Sequence, residues 1–113
     1  MRYLLLIATE PAPPDPDGWE RMLREYGAYT GWLQEQGLFV AAEALQDATT
    51  ATTVSVASGS RVITDGPFAE TKEVVGGYYL INAQDLDTAI EAAARCPGAA
   101  VGKVEIRPIA ELG

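Results

Sequence analysis

Three carboxylates, one ammonium and a Gly-Pro turn crowd the segment Asp65-Gly66-Pro67-Phe68-Ala69-Glu70-Thr71-Lys72-Glu73, which runs straight into Val74-Val75-Gly76-Gly77-Tyr78-Tyr79. A carboxylate and an ammonium a few residues apart can meet and shift each other's pKa, the raw material of acid-base chemistry and of charged-ligand recognition. Asp65, Glu70 and Lys72 are therefore the candidate catalytic residues. The plainer account of Asp65 is that it accepts hydrogen bonds from the amides of the Gly66-Pro67 turn, as Asp commonly does.

A second set of polar groups falls on predicted strands. Glu43 sits among apolar residues in Leu38 to Leu45, and Arg107 alternates with apolar residues in the last strand, together with Lys103 and Glu105. Strand alternation can bring Glu43, Arg107 and a tyrosine of the Tyr78-Tyr79 pair onto one sheet face, opposite the helices. Glu43, Tyr78 and Arg107 are the candidate ligand-binding residues. A solvated ladder of ion pairs, worth little to stability, is the simpler reading for Lys103 and Glu105.

What is missing narrows the chemistry further. The chain has no histidine, which removes Ser-His-Asp and Cys-His nucleophilic systems and histidine-containing zinc sites. Cys96 stands alone, so no intramolecular disulfide forms, and the remaining hard oxygen ligands hold transition metals weakly. A metal-independent protein without a cofactor is expected. The Gly76-Gly77 pair lies inside a strand and lacks the strand-to-helix setting of a phosphate-binding loop. With 16 acids against 8 bases, a net charge of -8 and dispersed arginines, the chain is set to repel nucleic acid and anionic membranes. The apolar opening Tyr3 to Ala8 stops at Thr9-Glu10-Pro11, too early for a signal peptide, and reads as a buried strand of a cytoplasmic protein.

The elements that must position these residues follow from periodicity. Residues 2 to 9 form a central strand, and Pro11 to Pro16 a stiff connector, with Asp15 or Asp17 capping the next helix. That helix presents Trp19, Met22, Leu23, Tyr26, Thr30 and Leu33 as one buried stripe and ends at Gly37. Residues 38 to 45 are β-compatible, and Thr52 to Val56 and Arg61 to Thr64 flank Ser58-Gly59-Ser60 as a hairpin. Residues 74 to 81 form a strand in which Gly76 and Gly77 mark a bulge or a close approach. Asp85 caps a helix with the stripe Leu86, Ala89, Ile90, Ala93 and Ala94, stopped by Cys96-Pro97-Gly98, and a last strand covers residues 102 to 109.

Strand, helix, strand, inserted hairpin, strand, helix, strand is the split βαβ order of ferredoxin-like α+β domains, here one domain over residues 1–113. Two helices cover one sheet face and leave the other bare, so an isologous homodimer is expected.

The whole pattern resembles the DGPF branch of the YCII-related proteins. The resemblance rests on Asp65-Gly66-Pro67-Phe68 within Thr64 to Gly77, supported by Tyr3-Leu4-Leu5-Leu6, Glu43-Ala44-Leu45, Ala94-Arg95-Cys96-Pro97 and Val104 to Pro108. It implies a ferredoxin-like fold that dimerises into an α/β barrel, with a cleft near the DGPF loop. It also implies relatives with a His-Asp active-site pair and one similar to a dehydrochlorinase of aromatic degradation. That mechanism does not carry over, because no histidine is present and Arg95-Cys96-Pro97 stands where the family's Asp-Pro tends to fall. Two readings of function stand side by side. One is a homodimeric small-molecule-binding domain acting as a lyase or isomerase through carboxylates. The other is a non-catalytic ligand sensor or regulatory partner of an extracytoplasmic-function sigma factor, a class near which DGPF proteins are often encoded.

Overall fold

In the computed structural model, which describes residues 1–11, 15–68 and 72–112, the apolar run at the start of the chain is the strand β1, Arg2–Thr9. It is followed by α1 (Gly18–Glu35), β2 (Phe39–Ala44), a single 3-10 turn (Ala48–Thr50), β3 (Thr52–Ala57) and β4 (Ser60–Asp65). The chain continues through β5 (Val74–Asn82), α2 (Leu86–Arg95), the short α3 (Gly98–Val101) and β6 (Gly102–Pro108). The main sheet has the order β2-β5-β1-β6, antiparallel at every pairing. β1 and β2 are thus parallel with β5 between them, and β5 and β6 are parallel with β1 between them. This interleaving is the split βαβ of a ferredoxin-like α+β fold. β3 and β4 form a separate two-stranded sheet.

Alternation decides which side chains enter the core. Tyr3, Leu5 and Ile7 of β1 and Tyr79 and Ile81 of β5 are buried under the helices, while Leu4, Leu6, Tyr78 and Leu80 emerge half-exposed on the other face. Tyr79 is the hub of the covered side. Its ring lies edge-on to Tyr29 at 5.0 Å and to Phe39 at 6.3 Å, and its hydroxyl shares a 2.7 Å hydrogen bond with Thr30 Oγ1. Gly76 is passed over in the register, since Ile7 faces Gly77 and Ala8 faces Val75, so the bulge expected at the double glycine is present. Gly77 is where backbones come close: a Cβ there would sit 2.9 Å from the Glu43 carbonyl oxygen.

Two helical stripes differ from the expected ones. In α1 the buried residues are Tyr29 and Leu33, while Trp19 and Leu23 are 64% and 54% exposed and Met22 is exposed as well. Periodicity correctly groups the first three with Tyr26 on one face, but the first two turns of that face are left to solvent. In α2 the face turned inward is Ala89, Ala92 and Ala93, continued by Cys96, rather than one led by Leu86 and Ile90. Small side chains let this helix lie close against the sheet, and the larger Leu86 and Ile90 fall on the flanks. Asp85 caps α2 as expected, accepting from the Thr88 amide and hydroxyl at 2.8 and 2.7 Å. Asp17 makes no side-chain cap to α1. The neighbouring Asp15 carboxylate instead accepts from the Asp17 amide and pairs with Arg21. Gly37, at φ +71°, ends α1 as expected.

Tyr29 closes the far end of α2. Its hydroxyl donates to the Ala92 carbonyl oxygen at 2.7 Å, one of the last four carbonyls that a helix leaves without an internal donor. Tyr29→Phe should therefore lower unfolding stability by about 1–2 kcal/mol in urea titrations, with circular dichroism unchanged. Burial also pushes the hydroxyl pKa values of Tyr26, Tyr29 and Tyr79 upward. The folded state then keeps protons that the unfolded chain releases above about pH 10. Stability should hold up to that pH and fall beyond it, read as a declining urea midpoint in alkaline buffers; a midpoint still constant at about pH 11 would contradict these buried hydroxyls.

Candidate functional site

The uncovered face of the main sheet is ordered by register. Glu43 on β2 lies opposite Tyr78 on β5, Tyr78 opposite Leu6 on β1, and Leu6 opposite Glu105 on β6, forming one transverse row. The adjacent row on the same face is Ala41, Leu80, Leu4 and Arg107. Directly opposed side chains have Cβ atoms about 5 Å apart, so Glu43 and Tyr78 are neighbours. Among the described residues neither the Glu43 carboxylate nor the Tyr78 hydroxyl has a hydrogen-bond or ion-pair partner. The face thus offers a carboxylate acceptor and a phenol donor beside a floor of Leu4, Leu6 and Leu80.

Of the three candidate ligand-binding residues, the fold brings two together. Arg107 shares the face but lies two strands and one row away from Tyr78, roughly 12 Å by strand spacing, and its guanidinium is 3.3 Å from Glu105. Lys103 likewise pairs with Glu73 at 3.0 Å. The polar ladder on β6 is therefore a set of ion pairs, as its simpler reading holds.

Of the catalytic candidates, the described Asp65 and Lys72 are not paired with each other. Lys72 is almost fully exposed and pairs with Glu10 at the end of β1, 3.4 Å away. Glu70 lies outside the described residues. Asp65 is the last residue of β4, opposite Thr52, and its exposed carboxylate makes no hydrogen bond among the described residues. The turn after it is held by other groups: the Gly66 amide donates to the Ala51 carbonyl at 2.7 Å, and the Thr53 hydroxyl donates to the Gly66 carbonyl at 2.8 Å. Gly66 takes φ +102°, a conformation that needs glycine. Thr53 is the turn-fixing residue that sequence reasoning missed, since nothing distinguishes it from the other threonines of that strand.

Two surface grooves lie on the helical side and contain none of the five described candidates. One, of about 530 Å³, runs between α1 and α2 and is lined by Trp32, Gln36, Asp85, Asp87 and Glu91. Beside it Arg95 stacks 4.4 Å over the Trp32 ring and bonds Glu91 at 2.9 Å, so the groove's cation is internal. The other, of about 320 Å³, is bordered by Ile90, Ala93, Lys103 and Val104. Among the described residues no group of three acids or cysteines is placed to hold a metal ion, and no helix is long and apolar enough to cross a membrane. The Cys96 thiol is buried, and burial pushes its pKa up despite amides and the Tyr26 hydroxyl nearby. It is an inert core residue rather than a nucleophile.

Residues 1–113 match the YCII-related domain, and the chain belongs to that family. It is 37% identical over 93 residues, 80% of this chain and 75% of the other, to an uncharacterized protein of Rhizobium meliloti. Among solved structures it is similar, at 12% identity and a TM-score of 0.49 over 97% of this chain and 94% of the other, to the 5-chloro-2-hydroxyhydroquinone dehydrochlorinase of Burkholderia phenoliruptrix in complex with 2,5-dihydroxybenzoquinone.

If Thr53 rather than Asp65 fixes the loop, Thr53→Val should speed hydrogen exchange at the Gly66 amide about fivefold, the effect of losing roughly 1 kcal/mol of hydrogen bonding. Asp65→Asn should leave that rate within twofold, on the order of the error in such comparisons. The opposite ranking would return the turn to Asp65.

Proposed function

Taking membership of the YCII-related family as the premise, we propose that this chain is a small-molecule-binding domain that works as a homodimer and holds its ligand on the helix-free sheet face, at the Glu43–Tyr78 pair. The observation that carries the reading is that cross-strand pair, whose two side chains have no partner among the described residues and stand beside an apolar floor. Such a face suits a small molecule with an apolar body and a group that both donates to a carboxylate and accepts from a phenol. Catalysis as a lyase or isomerase would use Glu43 as the proton acceptor and Tyr78 as the hydroxyl that steadies developing charge on the substrate. Asp65 stands at the base of the hairpin inserted between β2 and β5, the end of the sheet that carries Glu43 and Tyr78. It is the next residue to test as a contributor.

The alternative, a non-catalytic sensor or regulatory partner, is supported by one observation. Lys72 is engaged with Glu10 rather than with Asp65 or Glu43, so the described residues offer no assembled acid-base pair with contrasting environments. A single carboxylate beside a phenol is enough to hold a ligand.

A thermal-shift screen of small molecules, followed by titration calorimetry of the hits, tests both readings. Glu43→Gln and Tyr78→Phe should each weaken binding by about 10- to 100-fold, as expected for hydrogen bonds to a charged group, while melting temperatures stay close to wild type because both sites are solvent-facing. Unaltered affinity in both variants would refute the site. Product formed on prolonged incubation with a hit marks an enzyme; quantitative recovery of every hit marks a sensor.

A further inference from the structure

Four strand edges face away from any other strand among the described residues: β2 and β6 flank the main sheet, and β3 and β4 pair only with each other. An open edge is a template for a further strand, and proteins blunt it with charge, proline or a bulge. Three of the four edges are blunted. β2 carries Glu43 and a register shift between Phe39 and Ala41. β6 carries Lys103, Glu105, Arg107 and Pro108, and β4 carries Arg61 and Asp65. β3 has no such device. It pairs with β4 without a register shift, and neither a charged residue nor a proline occurs from Ala48 to Ser60 in a chain that is 21% charged. Its residues are exposed apart from the half-buried Thr53, with Val54 and Val56 at 58% and 68%.

The hairpin geometry decides which groups of β3 point outward. Ser58 and Gly59 join the two strands with φ of 51° and 79°, the positive pair of a two-residue type I′ turn. At the base of the hairpin the Gly66 amide donates to the Ala51 carbonyl. Bonded and non-bonded pairs alternate in an antiparallel ladder, so Thr53, Ser55 and Ala57 exchange their bonds with β4. The amides and carbonyls of Thr52, Val54 and Val56 are left on the outer edge. Two strands alone are marginally stable in water, and a further strand on this edge supplies what the pair lacks.

We propose that β3 pairs edge to edge with β3 of a second copy of this chain, antiparallel about a two-fold axis at Ser55, forming a continuous sheet β4-β3-β3-β4. A second copy is the fitting occupant for two reasons. The net charge of -8 makes two copies repel wherever acids meet, and the uncharged edge lets their backbones approach without opposing like charges. The edge is also self-complementary. About this axis Val54 of each copy faces Val56 of the other in a bonded pair, where β-branched side chains pack across the strands. Val54, Val56 and Ile63 of both copies then fall on one face. The contact uses neither face of the main sheet, so it goes beyond the homodimer reading above and does not depend on it.

Sedimentation of the wild type and of Val54→Pro tests the edge. Proline there removes an outward amide and none of the hairpin's own bonds. The variant should keep its circular dichroism, and its assembly should have about half the wild-type mass. Equal masses would overturn the β3 contact. A dimeric variant from a wild type of twice that mass would support the contact as an interface separate from that of the homodimer. A monomeric variant from a dimeric wild type would support it as the homodimer's own interface. A monomeric wild type would overturn both. Should the variant fail to fold, Ser55→Cys and Thr64→Cys carry the test. Under mild oxidation Ser55→Cys should form a covalent dimer across the axis, while Thr64→Cys, on the same face of the hairpin but on β4, should not. No cross-link at Ser55, or equal cross-linking at both positions, would overturn the pairing; the native Cys96, being buried, does not interfere.

Discussion

A four-stranded sheet has two faces, and the helices of this chain cover only one of them; everything distinctive about the molecule depends on that imbalance. β1 and β5 lie at the centre, so each of their residues must point either into the helical layer or away from it. Tyr79 and Tyr78 are adjacent in sequence and have opposite fates. Tyr79 organises the core through Tyr29, Phe39 and Thr30, and Tyr78 stands beside Glu43 on the bare side. The bulge at Gly76 and the close approach at Gly77 sustain this arrangement, because they set β5 against both β1 and β2 in the register that makes Glu43 and Tyr78 neighbours.

The core side is satisfied within the chain. Among the described residues no buried side-chain nitrogen or oxygen lacks a hydrogen-bond partner, and the free end of α2 is closed by the Tyr29 hydroxyl. The bare side is not satisfied in the same sense. It combines an apolar floor, an acid and a phenol without partners among the described residues, and a hairpin with exposed aliphatic side chains. Apolar area left in water in this way is what association removes.

Much of this was legible in the sequence, and the misses have physical causes. The unbroken apolar run through Tyr3 to Ile7, too short for a helix, and the double glycine at 76 and 77 predicted the central strand and the bulge, because run length and the absence of a Cβ act locally. The helix stripes were only half legible. Spacings of three and four place Trp19, Met22 and Leu23 on one face, but how far along a helix the covering layer extends is a tertiary matter that periodicity does not encode. The same gap explains Leu86 and Ile90, displaced from the core by smaller alanines. At the candidate site, alternation allowed Glu43 and Tyr78 a place on the helix-free face, yet that they stand directly opposite each other while Arg107 lies apart needed the register. Asp65 and Lys72 looked like partners because they are close in sequence. In the fold Lys72 reaches the end of β1, and Thr53 makes the contact at the turn that the plainer reading of Asp65 had given to its carboxylate.

The proposed ligand site lies on the bare sheet face rather than in the grooves of the helical side. Amide chemical-shift mapping of the isotopically labelled protein with a small-molecule hit tests it directly. Shifts concentrated on Leu4, Leu6, Glu43, Tyr78 and Leu80 are the predicted result. Shifts concentrated on Trp32, Gln36, Asp87 and Glu91, with the sheet face unmoved, would contradict it.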